Sequence, residues 1–228
     1  TTNGVLFASM AEALKDAGLD AVNFSLDSID AERYKALARA DALGVVMAGI
    51  EKALALGFKT KINCVPMADD SGNWVRLAAL AKEKPLDVRF IEMMPVGLGQ
   101  DFEYVDNGIA LDALTRAFGA PEKSRRGHGS GPAEYVEFAG FTGSVGFISA
   151  MTHAFCGGCN RVRLTADGML KTCLCYEDGL NVKHLLRSGA SDEALQAALA
   201  GAIENKPLQH SFCGGGAAEQ RKMVQIGG

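Results

Sequence analysis

The sequence predicts an α/β protein in which a parallel sheet is followed by a smaller, cysteine-rich α+β extension. Strand and helix patterns alternate up to residue 94, which is the signature of parallel βαβ units with right-handed crossovers. The pattern changes near residue 105, and a Cys-x2-Cys-x13-Cys array follows. The three parallel strands predicted are too few to close a barrel. We therefore expect two segments, residues 1–105 and 106–228.

The first segment contains clear signals for the ends of its elements. Apolar residues recur at helical spacing before Gly18 and Gly57, and glycine commonly ends a helix. The run from Asp27 to Asp30 offers an N-cap for a helix that starts near Ala31. The predicted helices cover residues 8–17, 43–56 and 74–84, and a further helix starts near residue 31. The predicted strands cover residues 21–26, 59–65 and 88–94.

Polar residues near the ends of these strands are candidates for a ligand site. In parallel α/β proteins, ligands bind at the carboxyl ends of the strands. A buried hydrogen bond would equally explain Ser25 and Asn63, and packing would explain Met94. The candidates of this kind are Ser25, Lys61, Asn63, Glu92 and Met94.

The second segment combines short strands with helices. The glycine-rich, basic loop at residues 125–132 lacks the spacing of a phosphate-binding P-loop, so we interpret it as a mobile surface loop. An antiparallel hairpin is predicted from two apolar runs that a Gly-x-x-Gly turn separates. The predicted strands cover residues 135–139 and 145–148, and the predicted helices cover residues 107–119, 181–187 and 191–204, the last capped by Ser191.

The cysteine array predicts a metal site. The two glycines between Cys156 and Cys159 allow a tight turn that directs both thiols to one centre. A hairpin with an Asp-Gly turn at residues 167–168 returns Cys173 to the same place. Three thiols fit an iron-sulfur cluster with one open iron, or a zinc site completed by a histidine such as His153, by Cys175 or by water. A redox pair or a disulfide remains an alternative.

Two arginines follow the second thiol. Arg161 and Arg163 alternate along the first strand of the hairpin, so their guanidinium groups point to one face. Beside a metal they suggest an anionic ligand with phosphate or carboxylate groups, whereas solvated surface charges are the simpler alternative.

Composition excludes some classes of function. The net charge of -4 argues against a general nucleic-acid-binding protein, because affinity for the phosphate backbone needs clustered Lys and Arg. We see no membrane-spanning run and no signal peptide. Six cysteines in a core-forming chain fit the reducing cytoplasm. The chain starts at Thr1 with what reads as a strand end, so we expect a preceding N-terminal portion.

The motif FCGGCNRVRLTADGMLKTCL resembles the C-terminal cluster motif of the GTP 3',8-cyclases, radical S-adenosylmethionine enzymes of molybdenum cofactor biosynthesis. The terminal MVQIGG resembles the double-glycine tail of that family, a tail that reaches into the active site. TTNG, VNFSLDSID, KINCV and RFIEMMPVG resemble its successive strand-end motifs, in order. The resemblance implies a partial radical-SAM-type α/β barrel with a C-terminal extension.

The resemblance also implies roles for individual residues. It implies that a three-cysteine 4Fe-4S cluster binds the guanine base of GTP through its open iron, and that Arg89 lines the site. Cys175 stands where the family usually has an aromatic residue, which leaves a fourth thiol near the cluster. The implied ligands are Cys156, Cys159 and Cys173 for the cluster, Lys61, Arg161 and Arg163 for GTP, and Thr1, Ser25 and Met94 for S-adenosylmethionine.

The implied reaction converts 5'-GTP to (8S)-3',8-cyclo-7,8-dihydroguanosine 5'-triphosphate, a product for a downstream enzyme that forms cyclic pyranopterin. The family uses a second 4Fe-4S cluster, held by an N-terminal CxxxCxxC motif, to cleave S-adenosylmethionine. That motif does not occur in this sequence, so the resemblance implies that these residues alone cannot start the reaction. It also implies a homodimer. Two other hypotheses are a different radical enzyme with an auxiliary cluster and a non-catalytic zinc-binding module.

Overall fold

The computed structural model describes residues 1–68, 70–129, 131–212, 219, 221 and 223–226. The chain forms two compact units, one made of residues 1–92 and 104–152 and the other of residues 93–103 and 153–228. The predicted boundary between residues 105 and 106 was drawn from a change of pattern rather than from contacts, and it stays a prediction.

The first unit is a mixed α/β unit, which confirms the predicted fold class. Its helices and strands alternate along the chain as expected, and most bounds agree within a few residues. The helices are α1 (Phe7–Asp16), α2 (Ala31–Ala38), α3 (Leu43–Ala55), α4 (Ser71–Glu83) and α5 (Asn107–Phe118). The strands are β1 (Ala21–Ser25), β2 (Lys59–Cys64), β3 (Leu86–Ile91), β4 (Glu122–Lys123), β5 (Glu134–Glu137) and β6 (Val145–Ile148).

These strands form one sheet in the order β1-β2-β3-β6-β5-β4. The contacts between β1 and β2, β2 and β3, and β3 and β6 are parallel, whereas β5 pairs antiparallel with β6 and with β4. The predicted hairpin is therefore present. The sequence analysis did not foresee that its second strand would also pair with β3 and add a fourth parallel strand to the sheet.

One face of the sheet is apolar and the other is polar. Strand side chains alternate between the two faces, so every second residue packs with the helices in the core. Phe24, Ile62, Val88 and Phe90 are fully buried in this way. The opposite face carries a polar row at matched register, namely Asn23, Lys61 and Asp87, and a second row, namely Ser25, Asn63 and Arg89. A sheet that buries only one face against helices leaves its other face for a ligand.

The second unit is built on a small antiparallel sheet. Its strands are β7 (Arg163–Leu164), β8 (Met169–Lys171) and β9 (Leu180–Asn181), and its helices are α6 (Val182–Arg187) and α7 (Asp192–Glu204). The predicted Asp-Gly hairpin joins β7 and β8, with Gly168 at a φ of +88°. A side chain at Gly168 would also meet the Cβ of Lys183 at 2.4 Å. The position therefore needs glycine for two independent reasons.

Predicted helix caps form as expected in both units. The Asp30 carboxylate accepts a hydrogen bond from the Arg33 N–H at 3.0 Å, and Ser191 Oγ accepts one from the Ala194 N–H at 3.3 Å. Each cap satisfies one of the backbone donors that a helix start leaves without a partner.

A separate apolar cluster lies in the second unit. Val96, Leu174 and Ile226 are buried there, and Met94 is one of the partly buried residues around them. Residues 223–226 are therefore packed on this cluster through Met223 and Ile226. Within the described ranges, no helix is both long and apolar enough to cross a bilayer.

Candidate functional site

Lys61 lies in the middle of the polar face of the first unit. Its ammonium donates to the His128 carbonyl at 2.6 Å and to the Tyr135 hydroxyl at 3.1 Å, and it lies 3.7 Å from the Asp87 carboxylate. Its side chain is 16% exposed. The two acceptors within hydrogen-bond distance are neutral and the Asp87 carboxylate lies beyond that distance, so the charge of Lys61 is only partly compensated.

The glycine-rich loop contacts this lysine through His128. The imidazole stacks on the Tyr135 ring at a centroid distance of 3.7 Å. Its Nδ1 lies 3.0 Å from the Asp87 carboxylate, and its Nε2 lies 2.8 Å from Ser124 Oγ. The sequence analysis treated this loop as a surface loop and did not anticipate these contacts. Histidine, tyrosine and aspartate come from three separate stretches of the chain, so no local spacing could have indicated the cluster.

The second polar row lies beside Lys61 on the same face. Arg89 donates through Nε to the Asn63 side-chain oxygen at 2.8 Å, and Ser25 is exposed at the carboxyl end of β1. The Ser25 N–H bonds the Thr2 carbonyl at 2.9 Å, because Thr2 forms a parallel bridge with Phe24. The structure therefore brings the exposed Thr1 and Ser25 to the same edge of the sheet.

Glu92 has a structural role, unlike the other strand-end candidates. The side chain is fully buried, and its carboxylate accepts hydrogen bonds from the backbone N–H groups of Asn107, Met151 and Thr152 at 2.7–3.1 Å. These bonds fix the start of α5 and the chain after β6, so the carboxylate oxygens are already engaged. Met94 belongs to the second unit, where it packs on the apolar cluster around Val96.

The first two cysteines of the array lie on one tight turn. Cys156 begins a 3-10 turn that ends at Gly158, and Cys159 follows it. Their sulfurs receive hydrogen bonds from the 206–211 segment: Lys206 Nζ lies 3.3 Å from Cys159 Sγ, and the His210 N–H bonds Cys156 Sγ at 3.4 Å. Donors aimed at sulfur stabilise thiolates and tune a metal centre that they hold.

Cys173 and Cys175 differ in their surroundings. Cys175 is buried, and its sulfur accepts the Ser211 N–H at 3.4 Å. Cys173 is only partly buried. Burial raises the pKa of the Cys173 thiol, although a hydrogen bond from the Cys175 backbone opposes this increase. Of the two, Cys173 is the sulfur that a ligand can reach without disturbing the core.

The electrostatic surroundings of the array favour a thiolate at Cys159. Burial opposes the charge, but hydrogen bonds from the Arg161 backbone and from Lys206 lower the pKa of this thiol below its usual value. Burial and the nearby charge of Arg161 lower the pKa of Arg163, while Cys159 and Cys173 counteract that decrease. The charge of Arg163 is therefore coupled to Arg161 and to both of these sulfurs, and its role in binding an anion stays a prediction.

The array supplies three of the thiols that the structure describes as free. Among the residues that the structure describes, no three His, Cys, Asp or Glu side chains converge closely enough to hold one ion. Hydrogen bonds to sulfur of the kind seen at Cys156 and Cys159 are usual where cysteines ligate a cluster. His153 is exposed three residues before the turn.

Two family models match complementary parts of the chain. The model of the radical SAM superfamily matches residues 1–81, and the model described as Molybdenum Cofactor Synthesis C matches residues 86–212. The first match covers β1 and β2 of the parallel sheet, and the second includes the whole cysteine array.

Curated relatives align with the whole chain. A GTP 3',8-cyclase of Clostridium perfringens is 38% identical over 230 residues, and the aligned part is 71% of that protein. The GTP 3',8-cyclases of Syntrophomonas wolfei and Desulforamulus reducens are each 42% identical, and the chain spans 72% and 71% of their lengths. These identities and this coverage show that the chain belongs to the GTP 3',8-cyclase family.

Proposed function

We propose that this chain carries the substrate-binding part of a GTP 3',8-cyclase, a radical SAM lyase of molybdenum cofactor biosynthesis. The reaction converts 5'-GTP to (8S)-3',8-cyclo-7,8-dihydroguanosine 5'-triphosphate. The observation that carries the proposal is the set of donors around the array: Lys206 Nζ lies 3.3 Å from Cys159 Sγ and the His210 N–H bonds Cys156 Sγ at 3.4 Å, within the segment that the family shares.

The thiol site would hold a 4Fe-4S cluster through Cys156, Cys159 and Cys173. When bound, this cluster supplies an open iron that takes the guanine base. The chain itself contributes the half-exposed thiols, the lowered pKa of Cys159 and the N–H donor to Cys156. Cys175 is not part of the proposed set, because its sulfur is buried and bonded to Ser211.

GTP would be held by Lys61, Arg161 and Arg163. The three side chains are permanent cations at neutral pH, and charge-assisted bonds to phosphate are among the strong ones. Within the first unit, Lys61 lies on the polar face of the sheet among neutral hydrogen-bond acceptors. The role of these residues is to bind and orient the nucleotide, since the bound cofactors supply the radical chemistry.

S-adenosylmethionine would be bound by Thr1, Ser25 and Met94. Thr1 and Ser25 are exposed at one edge of the sheet, where the parallel strand ends collect. Its cleavage requires the second 4Fe-4S cluster of the full-length enzyme. We further propose a cytoplasmic enzyme that acts as a homodimer, binds no nucleic acid and passes its product to an enzyme that forms cyclic pyranopterin.

The proposal is tested by reconstituting the chain anaerobically with iron and sulfide and titrating GTP against the electron paramagnetic resonance signal of the reduced cluster. We expect a cluster whose signal shifts when GTP binds. Serine at Cys156, Cys159 or Cys173 should abolish the cluster, whereas Cys175→Ala should retain it. A site that takes only zinc, or a signal that ignores GTP, would instead support the zinc-binding module.

A further inference from the structure

Lys206 lies against the second cysteine of the array although it is 47 residues away in the sequence. Its ammonium donates to the Cys159 carbonyl at 2.8 Å, to the Arg161 carbonyl at 2.9 Å and to Cys159 Sγ at 3.3 Å. An ammonium has three N–H donors, and these three acceptors account for all of them. The lysine therefore fixes the backbone of residues 159–161, which join the CxxC turn to β7.

The neighbouring residues of the same segment continue this arrangement. The backbone N–H of His210 bonds Cys156 Sγ, and that of Ser211 bonds Cys175 Sγ, each at 3.4 Å. Two sulfurs of the array, those of Cys156 and Cys159, and the neighbouring sulfur of Cys175 thus receive a hydrogen bond from residues 206–211. The Lys206 bond differs from the other two because its donor carries a full charge.

The charge of Lys206 is directed at sulfur rather than at a carboxylate. Its acceptors are two carbonyl oxygens and one thiol. Lys171, by contrast, pairs with the buried carboxylate of Glu219. Among the described residues no carboxylate pairs with Lys206, so its charge acts on the Cys159 sulfur 3.3 Å away, which carries negative charge when it ligates a metal.

We propose that Lys206 is a positioning residue for the cluster, fixing Cys159 and Arg161 and raising the reduction potential through its charge. This inference rests on the proposed function, since it requires the cluster that Cys156, Cys159 and Cys173 would hold. Reduction adds negative charge to a cluster, so a fixed cation beside one of its sulfurs favours the reduced form. The two carbonyl bonds set the direction of the thiol and the start of the strand that carries Arg163.

The test compares Lys206→Met, which removes the charge, with Lys206→Arg, which keeps it. Lys59→Met is the matched control, because it makes the same change of net charge at an exposed lysine of β2 in the other unit. Each chain is reconstituted with iron and sulfide. The midpoint potential of the cluster is measured by redox titration, the rate of iron loss to a chelator is followed by absorbance, and the unfolding of each apo chain is measured in urea.

For Lys206→Met we expect a midpoint potential shifted to more negative values and iron loss faster by about 10- to 100-fold, the range that corresponds to losing one charged hydrogen bond. Lys206→Arg should restore the potential and at least part of the stability of the cluster. Lys59→Met should behave as the unmodified chain. The apo unfolding curves show whether a loss of iron merely follows a loss of fold.

The proposal is overturned if Lys206→Met takes up a cluster with an unchanged potential, or if Lys206→Arg shifts the potential as far as Lys206→Met does. Faster iron loss with an unchanged midpoint potential would mean that Lys206 only stabilises the backbone around Cys159. If the unmodified chain itself takes up no cluster, the proposed function fails, and that outcome is distinct from a failure at Lys206.

Discussion

The two compact units each enclose a lysine, and the two lysines have opposite surroundings. Lys171 on β8 is fully buried, and its ammonium contacts the Glu219 carboxylate and the Tyr176 carbonyl. Arg221 forms a second, bidentate pair with the same carboxylate, with N–O distances of 2.9 and 3.0 Å. Lys61 on β2 is partly exposed, its two hydrogen-bond acceptors are neutral, and its ion pair with Asp87 is long, at 3.7 Å, to an oxygen that also contacts His128.

The difference shows which positive charge is structural and which is available for a ligand. A buried ammonium with a carboxylate partner is already compensated, and it ties Glu219 of the carboxyl-terminal segment to the hairpin. An ammonium held by a carbonyl and a hydroxyl can exchange these acceptors for phosphate oxygens at little cost. The comparison therefore separates two lysines that a charge count treats alike.

Glu219→Gln should have the largest effect. It leaves the buried Lys171 without its counter-ion, and breaking one partner of a buried pair costs about 3–5 kcal/mol. We expect a loss of this size in the free energy of unfolding, measured by urea denaturation. Glu204→Gln, at an exposed glutamate at the end of α7, is the control and should change stability by less than about 0.5 kcal/mol. A change at Glu219 as small as the control would mean that the pair is not structural.

Lowering the pH should remove the contribution of the Glu219 carboxylate to the free energy of unfolding without a mutation. Although burial opposes ionisation, hydrogen bonds from Arg221 and Lys171 lower the pKa of Glu219 to about 2. Because the folded pKa lies below the unfolded value of about 4.3, the stabilisation is complete above that value and is lost as the pH falls towards 2. The stabilisation that the lowered pKa of Glu219 provides is on the order of 3 kcal/mol.

The measurement is the free energy of unfolding between pH 6 and pH 2.5, compared with that of Glu219→Gln. The variant should show a shallower dependence on pH, because it lacks the titrating group. If the free energy of unfolding depends on pH equally in the unmodified chain and in Glu219→Gln, the assigned pKa of Glu219 is contradicted.

Lys61→Met should affect binding rather than stability. Loss of a charged hydrogen bond to phosphate is worth about 1.5–3 kcal/mol, so GTP should bind about 10- to 100-fold more weakly. Calorimetric titration of the chain with GTP measures this effect, and Lys59→Met supplies a control on the same strand. An unchanged affinity with a large loss of stability would place Lys61 in the same structural class as Lys171.

Much of the fold could be predicted because its signals are local. Glycines and caps such as Asp30 mark the ends of helices, and the Asp-Gly turn before Met169 marks the hairpin. The pairing of β6 with β3 could not be predicted from these signals, because parallel pairing joins segments that are distant in sequence. Gly146 lies at this pairing, and a Cβ there would lie 2.8 Å from the Tyr135 ring and 3.1 Å from the Arg89 side chain, but a glycine does not show in one sequence what it faces.

The site residues also divide into those with a local sequence signal and those without one. Spacing alone indicated Cys156, Cys159 and Cys173, since the array is contiguous and ends in a hairpin. Lys61 followed from its place on a strand. Lys206 and His128 were missed, because Lys206 contacts Cys159, 47 positions away, and His128 contacts Asp87, 41 positions away. A long-range hydrogen bond leaves no periodic or spacing signal in one sequence.

Tyr135→Phe should have the smallest effect, and it tests whether the acceptors around Lys61 are exchanged for phosphate. The Tyr135 hydroxyl accepts one of the two close hydrogen bonds of the ammonium. If GTP must displace this bond, its removal should tighten GTP binding by up to about tenfold, the net value of one hydrogen bond. In the Lys61→Met background, the same substitution should have no effect on affinity, so the two changes form a double-mutant cycle. Weaker GTP binding in both backgrounds would instead mean that the hydroxyl contacts the nucleotide directly, and Lys61 would then keep its present acceptors in the complex.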